Sequence, residues 1–212
     1  MRRFPTVDPW LQARYLRSIA ALLVLLIIAG CATHPTAPDA GIAWDQRERQ
    51  LLDTPAWRAQ GRIAVKSGKD GGQGNIVWAQ EGSRARISLS GPFGVGAYEI
   101  EWDDETVVVY TKAGEVSMTY AGRDAAERFL DDQLGWSFPA RSMRYWIMGI
   151  ADPEYDAERS FDATGWLVGI DQHGWVVTYG RFTPVDDGWL PRKIVMEHAR
   201  ARVKLVVDRW TF

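Results

Sequence analysis

An alternation of apolar and polar residues with a period of two runs through much of this chain and restricts its fold more than any other feature. From Gly61 onward, Ile63 and Val65 alternate with more polar neighbours, and a polar turn is predicted at residues 69–72. This period is typical of half-buried antiparallel strands joined by hairpins. The same pattern occurs around Ile76 and Trp78, around Ile87 and Leu89, over residues 98–102, and in strands predicted at Thr106–Thr111 and Glu115–Tyr120.

The period becomes helical in three segments. One helix is predicted to end near Asp53 with residues 47–49 facing water, and a helical pair is predicted at Asp124–Leu134 and from Pro139 to Met148. Strands resume at Gly165–Asp171, Trp175–Phe182, Pro191–His198 and Arg202–Trp210. The predicted fold class is therefore α+β, a long antiparallel sheet with three short amphipathic helices as its cover.

The apolar run Ile19–Ala29 ends just before Cys31, which is the only cysteine of the chain. Arginines precede the run and small residues lead into the cysteine, as in a secretory signal. The run is too short to span a bilayer, which takes about 20 apolar residues. Residues 28–31 resemble the lipobox of bacterial lipoproteins, so we expect cleavage before Cys31 and a lipid on its thiol. The alternative is an ordinary signal sequence followed by a buried cysteine.

These features divide the chain into three parts. Residues 1–30 are predicted to be a signal peptide, residues 31–43 a lipidated cysteine with a flexible tether, and residues 44–212 one domain. Ala32 follows the cysteine where Asp would retain a lipoprotein at the inner membrane, which indicates the outer membrane, facing the periplasm. The formal charge is −2 for the whole chain and about −5 without the signal. A nucleic-acid-binding protein would instead show a clustered basic patch.

Several short motifs follow one another in a set order along the domain. They are Gly61-Arg62-Ile63-Ala64, Trp78-Ala79-Gln80, Gly91-Pro92-Phe93-Gly94, Gly135-Trp136-Ser137-Phe138-Pro139, Tyr145-Trp146-Ile147-Met148-Gly149, Leu190-Pro191-Arg192-Lys193 and Trp210. In their order and spacing they resemble the LolB family of outer-membrane lipoprotein receptors. The resemblance implies an incomplete antiparallel β-barrel, a strongly curved sheet, with three short helices covering an apolar cavity.

The resemblance also implies a function and partners. The protein would accept lipoproteins from the periplasmic carrier LolA and insert them into the outer membrane. Its partners would be LolA, the acyl chains of lipoproteins and the inner leaflet of the outer membrane, and it would act as a monomer without nucleic acid or a cofactor. Gly68-Lys69 lacks the upstream glycine spacing of a P-loop, so transfer is expected to need no nucleotide hydrolysis.

Inward-facing apolar residues are the candidates for the acyl-chain cavity. The strands supply Trp78, Ile87, Leu89, Ile100 and Trp102, and the helical cover supplies Trp146 and Ile147. Because periodicity defines a face and not a void, the same residues could equally form a fully packed core.

A glycine-rich segment with an apolar centre, Pro92, Phe93, Gly94 and Val95, separates two strands with polar faces. Hairpin tips are usually polar, so an apolar tip calls for a reason. We expect this segment to enter the membrane or to engage the incoming lipoprotein. The alternative is a loop folded back on the core. The family often has Leu where this chain has Phe93, which keeps the apolar character.

The sequence gives little support to catalysis. His34, His173 and His198 lie in the tether, in a turn and near a strand end, without the pattern of a nucleophile or a metal site. The acid pairs at 103–104 and 186–187 fall in predicted turns. We therefore expect no enzymatic activity. Two other functions stay open: a lipoprotein that carries lipids or glycolipids, and a structural envelope lipoprotein with a filled core.

Overall fold

A computed structural model describes residues 44–91, 97–186 and 188–212 of the protein. The predicted signal peptide, Cys31 with its tether, and the predicted membrane segment Pro92–Val95 lie outside these residues. Within the described part, the structure confirms the predicted α+β fold.

The described strands form a single antiparallel sheet. They are β1 (Ala56–Ser67), β2 (Asp70–Glu81), β3 (Arg84–Ser90), β4 (Tyr98–Trp102), β5 (Thr106–Tyr110), β6 (Val116–Ala121), β7 (Glu158–Phe161), β8 (Leu167–Gln172), β9 (Trp175–Val185), β10 (Gly188–His198) and β11 (Ala201–Thr211). Their order across the sheet is β6-β5-β4-β3-β2-β1-β11-β10-β9-β8-β7. Because β6 and β7 lie at opposite edges, the sheet is an incomplete barrel.

Three helices occur in the described residues: α1 (Trp44–Leu52), α2 (Ala125–Leu134) and α3 (Ala140–Trp146). Gly135 ends α2 as predicted, with a left-handed φ of 72° and its N–H donating to the Asp131 carbonyl at 2.7 Å. Pro139 stands directly before α3, where the missing N–H of proline costs no helical hydrogen bond. Among these helices, none has the length and apolar character that would let it cross a membrane.

A row of tryptophan rings fills one part of the concave face of the sheet. Trp57 lies 5.5 Å from Trp78, and Trp78 lies 5.6 Å from Trp102, measured between ring centroids. Phe129 of α2 and Trp146 of α3 are buried in the same apolar cluster, which draws side chains from strands of both halves of the sheet. The sheet therefore curves around one core, and the helical pair covers it.

The structure differs from the sequence prediction at two places in the sheet. The first hairpin turns at Gly68-Lys69 and not over residues 69–72, because Asp70 and Gly71 already pair with Ser67 and Lys66. β7 was not predicted, since all four of its residues are exposed and show no alternation. It is an edge strand that pairs only with β8 in the described part.

The expectation that residues 47–49 face water was wrong for Arg47 and Glu48, which are both half-buried. The Glu48 carboxylate accepts a hydrogen bond from the Arg159 guanidinium at 2.7 Å and a longer one from the Ala151 N–H at 3.3 Å. This partly buried ion pair joins α1 to β7.

Candidate functional site

One face of β2 changes along its length from large side chains to none. Trp78 and Ile76 are buried in the core, whereas Gly74 and Gly72 continue the same face toward the first hairpin. Residues two apart on a strand share a face, so the glycines leave the space above them empty of side chains. Their partners across β1, Ile63 and Val65, are not fully buried.

This space is a pocket of about 400 Å³. Ile63 and Val65 of β1, Leu89 of β3 and Leu134 at the end of α2 give it apolar walls, and Trp136 follows from the turn after α2. Ligand pockets in proteins commonly measure about 300–1,000 Å³. The pocket extends along the strands as far as Ser67, Asp70 and Gly91, where β1, β2 and β3 reach the same end of the sheet.

The two glycines differ in what a side chain would meet. A Cβ at Gly74 would collide with the carbonyl oxygen of Ser90, so the close approach of β3 requires glycine there. A Cβ at Gly72 would meet nothing within 4 Å. Gly72 therefore holds space open without being required by the backbone.

Trp136 is held against the pocket by neighbouring rings. Its centroid lies 5.5 Å from that of Trp175 and 5.8 Å from that of Phe138. The left-handed cap at Gly135 turns the chain at this point, so Leu134 and Trp136 both reach the pocket from the helical side.

The predicted cavity residues divide into two groups. Leu89 lines the pocket. The other six belong to the buried core: Trp78, Ile87, Ile100, Trp102, Trp146 and Ile147. Their assignment to an acyl-chain cavity stays a prediction. Sequence reasoning did not single out Ile63, Val65 and Trp136 for the pocket, although glycines inside a strand can mark a site of close approach by a ligand.

A buried glutamine organises the helical side of the core. Gln172 Oε1 accepts from Trp146 Nε1 at 2.8 Å and from the Asp152 N–H at 3.0 Å. Its Nε2 donates to the carbonyls of Asp152 and Tyr155, both at 2.9 Å. The Tyr179 hydroxyl donates to the Trp146 carbonyl at 2.9 Å, and burial raises the pKa of this phenol well above its ordinary value. The end of α3 is thereby fixed to β8 and β9.

A serine, a histidine and an aspartate meet beside α3. Ser142 Oγ donates to Asp152 Oδ2 at 2.7 Å, and His173 Nε2 lies 3.0 Å from the same Oγ. In a Ser-His-Asp nucleophile the carboxylate orients the imidazole, which then takes the hydroxyl proton. Here the hydroxyl donates its hydrogen bond to the carboxylate and not to the imidazole, so the pattern of bonds assigns Nε2–H of His173 as a donor to Oγ. The three residues form a polar link between α3 and the β8–β9 turn.

The family model and the similar curated proteins name the same family. Residues 55–210 match the family described as Outer membrane lipoprotein LolB. The chain is similar to the Outer-membrane lipoprotein LolB of Chromohalobacter salexigens, with 30% identity over 196 residues that cover 89% of this chain and 87% of the relative. The chain is also similar to the protein of the same name from Marinomonas sp., with 31% identity over 196 residues that cover 92% of this chain and 97% of the relative.

Among solved structures, a LolA superfamily protein from Nitrosomonas europaea gives a TM-score of 0.49 at 8% identity. The overlap covers 78% of this chain and 90% of that one.

The protein is an incomplete β-barrel. Its open antiparallel sheet is covered by helices and holds an apolar pocket. The family match covers nearly all of that fold, and the chain belongs to the LolB family of outer-membrane lipoproteins. The predicted location is thereby confirmed: the protein is lipid-anchored at the outer membrane and faces the periplasm. The family is one of receptors in lipoprotein trafficking and is not a known enzyme family.

Proposed function

We propose that this protein accepts lipoproteins from the carrier LolA, shelters their acyl chains in the pocket, and passes them to the outer membrane without nucleotide hydrolysis. The observation that carries the proposal is the apolar pocket of about 400 Å³ beside the glycine face of β2. Membership of the LolB family supports it.

The need for a pocket follows from the cargo. Each CH₂ group moved from water into an apolar site contributes about 0.8 kcal/mol, so long acyl chains do not cross an aqueous space unshielded. Ile63, Val65, Leu89 and Trp136 offer such a site. Without an energy source, transfer has to run downhill, from a carrier that binds the chains less well to a bilayer that binds them better.

Two segments outside the described residues complete the proposal. Cys31 carries the lipid that anchors the protein, while the accepting domain lies wholly in residues 44–212. The segment Pro92–Val95 enters the membrane during delivery. It joins the end of β3 to the start of β4, and Leu89, Ser90 and Gly91 just before it line the pocket.

A two-stage assay tests this function. In the first stage, a labelled lipoprotein bound to LolA is mixed with the mature chain, residues 31–212 with Cys31→Ala, and the label should move to the new protein. In the second stage, liposomes are added without nucleotide, and the label should move to the lipid. A protein that takes up free lipids but leaves the lipoprotein on its carrier would refute the proposal and favour a lipid-carrying protein.

Phe93→Glu should separate the two stages. A carboxylate resists entry into the bilayer interface, whereas a fully buried ring contributes about 1.5–3 kcal/mol, so the variant should accept cargo normally and deliver it at least tenfold more slowly. Phe93→Leu, which keeps an apolar side chain of the kind frequent in the family, should behave as the wild type. Thermal melts provide the control. If Phe93→Ala loses the roughly 3–5 kcal/mol typical of a buried Phe, the segment is part of the core and its proposed role is wrong.

A further inference from the structure

The antiparallel order places the turns between strands at two opposite ends of the sheet. The turns β1–β2, β3–β4, β5–β6, β8–β9 and β10–β11 lie at the end where the pocket opens. The turns β2–β3, β4–β5, β7–β8 and β9–β10 lie at the other end. We call these the pocket end and the far end.

The turns between strands differ in charge at the two ends. At the pocket end, the turns between strands contain three cations, Lys69, Lys112 and Arg200, and one acid, Glu115. The far-end turns contain six acids and no cation: Asp103, Asp104, Glu105, Asp162, Asp186 and, by sequence alone, Asp187.

The three cations of the pocket end are available for contact. All three are exposed, and within the described residues none of them forms an ion pair. Two of their turns also touch, since the Gly68 N–H donates to the Arg200 carbonyl at 3.4 Å. The nearest acids along the chain are Asp70 next to Lys69, Glu115 three residues after Lys112, and Glu197 three residues before Arg200. Glu197 is paired with Arg202 at 3.3 Å.

The cations also have a defined relation to the pocket. Ser67, Asp70 and Gly71, which flank the turn of Lys69, line the pocket at the point where it reaches this end. Exposed acids lie at one edge of the strand order, where Glu154 and Asp156 precede β7 and Glu158 is its first residue. The basic surface is thus the part of the pocket end between β6 and β10.

From this arrangement we propose that the pocket end docks onto a lipid surface with anionic headgroups through Lys69, Lys112 and Arg200. The three cations lie on separate turns at the pocket end of the sheet. A flat polyanionic surface can contact all of them, because such a surface needs no shape complementary to the turns. The inference rests on the proposed function in one respect, that the docked surface is the membrane that receives the cargo. Docking in this orientation brings the pocket toward the lipid and turns the acidic far end away.

Flotation with vesicles tests the docking in the absence of cargo. The mature chain with Cys31→Ala is mixed with vesicles of phosphatidylethanolamine and phosphatidylglycerol, or of phosphatidylethanolamine and phosphatidylcholine. Binding should require the anionic lipid and fall as salt is raised. Each cation near an anionic surface is worth about a fivefold change in partitioning. Replacing Lys69, Lys112 and Arg200 together by Gln should therefore lower binding about a hundredfold.

A second triple variant removes the same net charge elsewhere. Arg58→Gln, Arg84→Gln and Arg209→Gln replace exposed arginines toward the far end. A strand of twelve residues spans about 40 Å, several times the Debye length of about 8 Å, so this variant should bind as the wild type does.

Three results would overturn the docking proposal. They are equal binding of both triple variants, binding that ignores lipid charge, and a pocket-end variant that binds vesicles normally but no longer receives cargo from LolA. The last result would assign the basic surface to the carrier protein. The salt dependence of vesicle binding is measured on the protein without substitutions in its turns, so it tests the proposal even if a variant misfolds. Normal docking with no cargo transfer would refute the proposed function and leave the docking intact.

Discussion

A Gly72→Trp variant should fold as the wild type does and fail to take a lipoprotein from LolA. A side chain at Gly72 would enter the pocket from its sheet side, and its Cβ would meet no atom within 4 Å. Excluding three methylenes of an acyl chain from the pocket removes about 2.4 kcal/mol, or about fiftyfold in affinity. The stability should stay within about 1 kcal/mol of the wild type, because tryptophan suits a strand better than glycine does.

Ala64→Trp is the matched control for this variant. Ala64 is next to Val65 in β1 but points to the opposite face, and it does not line the pocket. This variant adds the same indole ring to the same part of the sheet, on the opposite face, and should leave transfer unchanged. If Gly72→Trp is folded and accepts cargo at the rate of Ala64→Trp, the pocket is not where the cargo is held.

The largest loss of stability is expected from Gln172→Leu. Leucine fills a similar volume but leaves the Trp146 Nε1–H and the Asp152 N–H without their acceptor, and two carbonyls without their donor. An unsatisfied buried polar group costs about 1–3 kcal/mol, so we expect a loss of about 3–6 kcal/mol. Such a loss is a large part of the 5–15 kcal/mol that stabilises a typical domain.

Gln80→Leu offers an internal comparison. Gln80 is also buried, but it accepts one bond, from Trp78 Nε1 at 2.9 Å, and donates one, to the Gly82 carbonyl at 2.8 Å. Its replacement should cost about half as much as that of Gln172. Urea unfolding of the two variants measures both values. A free energy of unfolding for Gln172→Leu within 1 kcal/mol of the wild type would contradict the role given to this residue.

The strands and helices that bury one face could be predicted from the sequence. Ile87 and Ile100 pair directly across β3 and β4, as their alternation requires. β7 could not be predicted in this way, because an edge strand with four exposed residues has no apolar period. The first hairpin was misplaced because Asp70-Gly71 reads as a turn, whereas pairing with Lys66 and Ser67 extends β2 to that point.

The pocket was only partly predictable for a related reason. Alternation identified Leu89 and Ile100 equally as inward-facing, yet the first lines the pocket and the second is buried in the core. The difference depends on what lies opposite each residue in space. Tryptophans 57, 78 and 102 fill one part of the concave face, while glycines 72 and 74 leave another part empty. The helical contribution of Trp136 depends on a turn whose direction the sequence pattern does not fix.

A photo-crosslink between the pocket and the acyl chain of a bound lipoprotein tests most directly whether the pocket holds the cargo. A photoreactive residue is placed at Val65, which lines the pocket, or at Ala64, which faces the other side of β1. Each protein is loaded with a lipoprotein from LolA and irradiated. If the pocket holds the acyl chain, position 65 gives a crosslink to it and position 64 gives none. A crosslink of equal yield from both positions, or from position 64 alone, would contradict this.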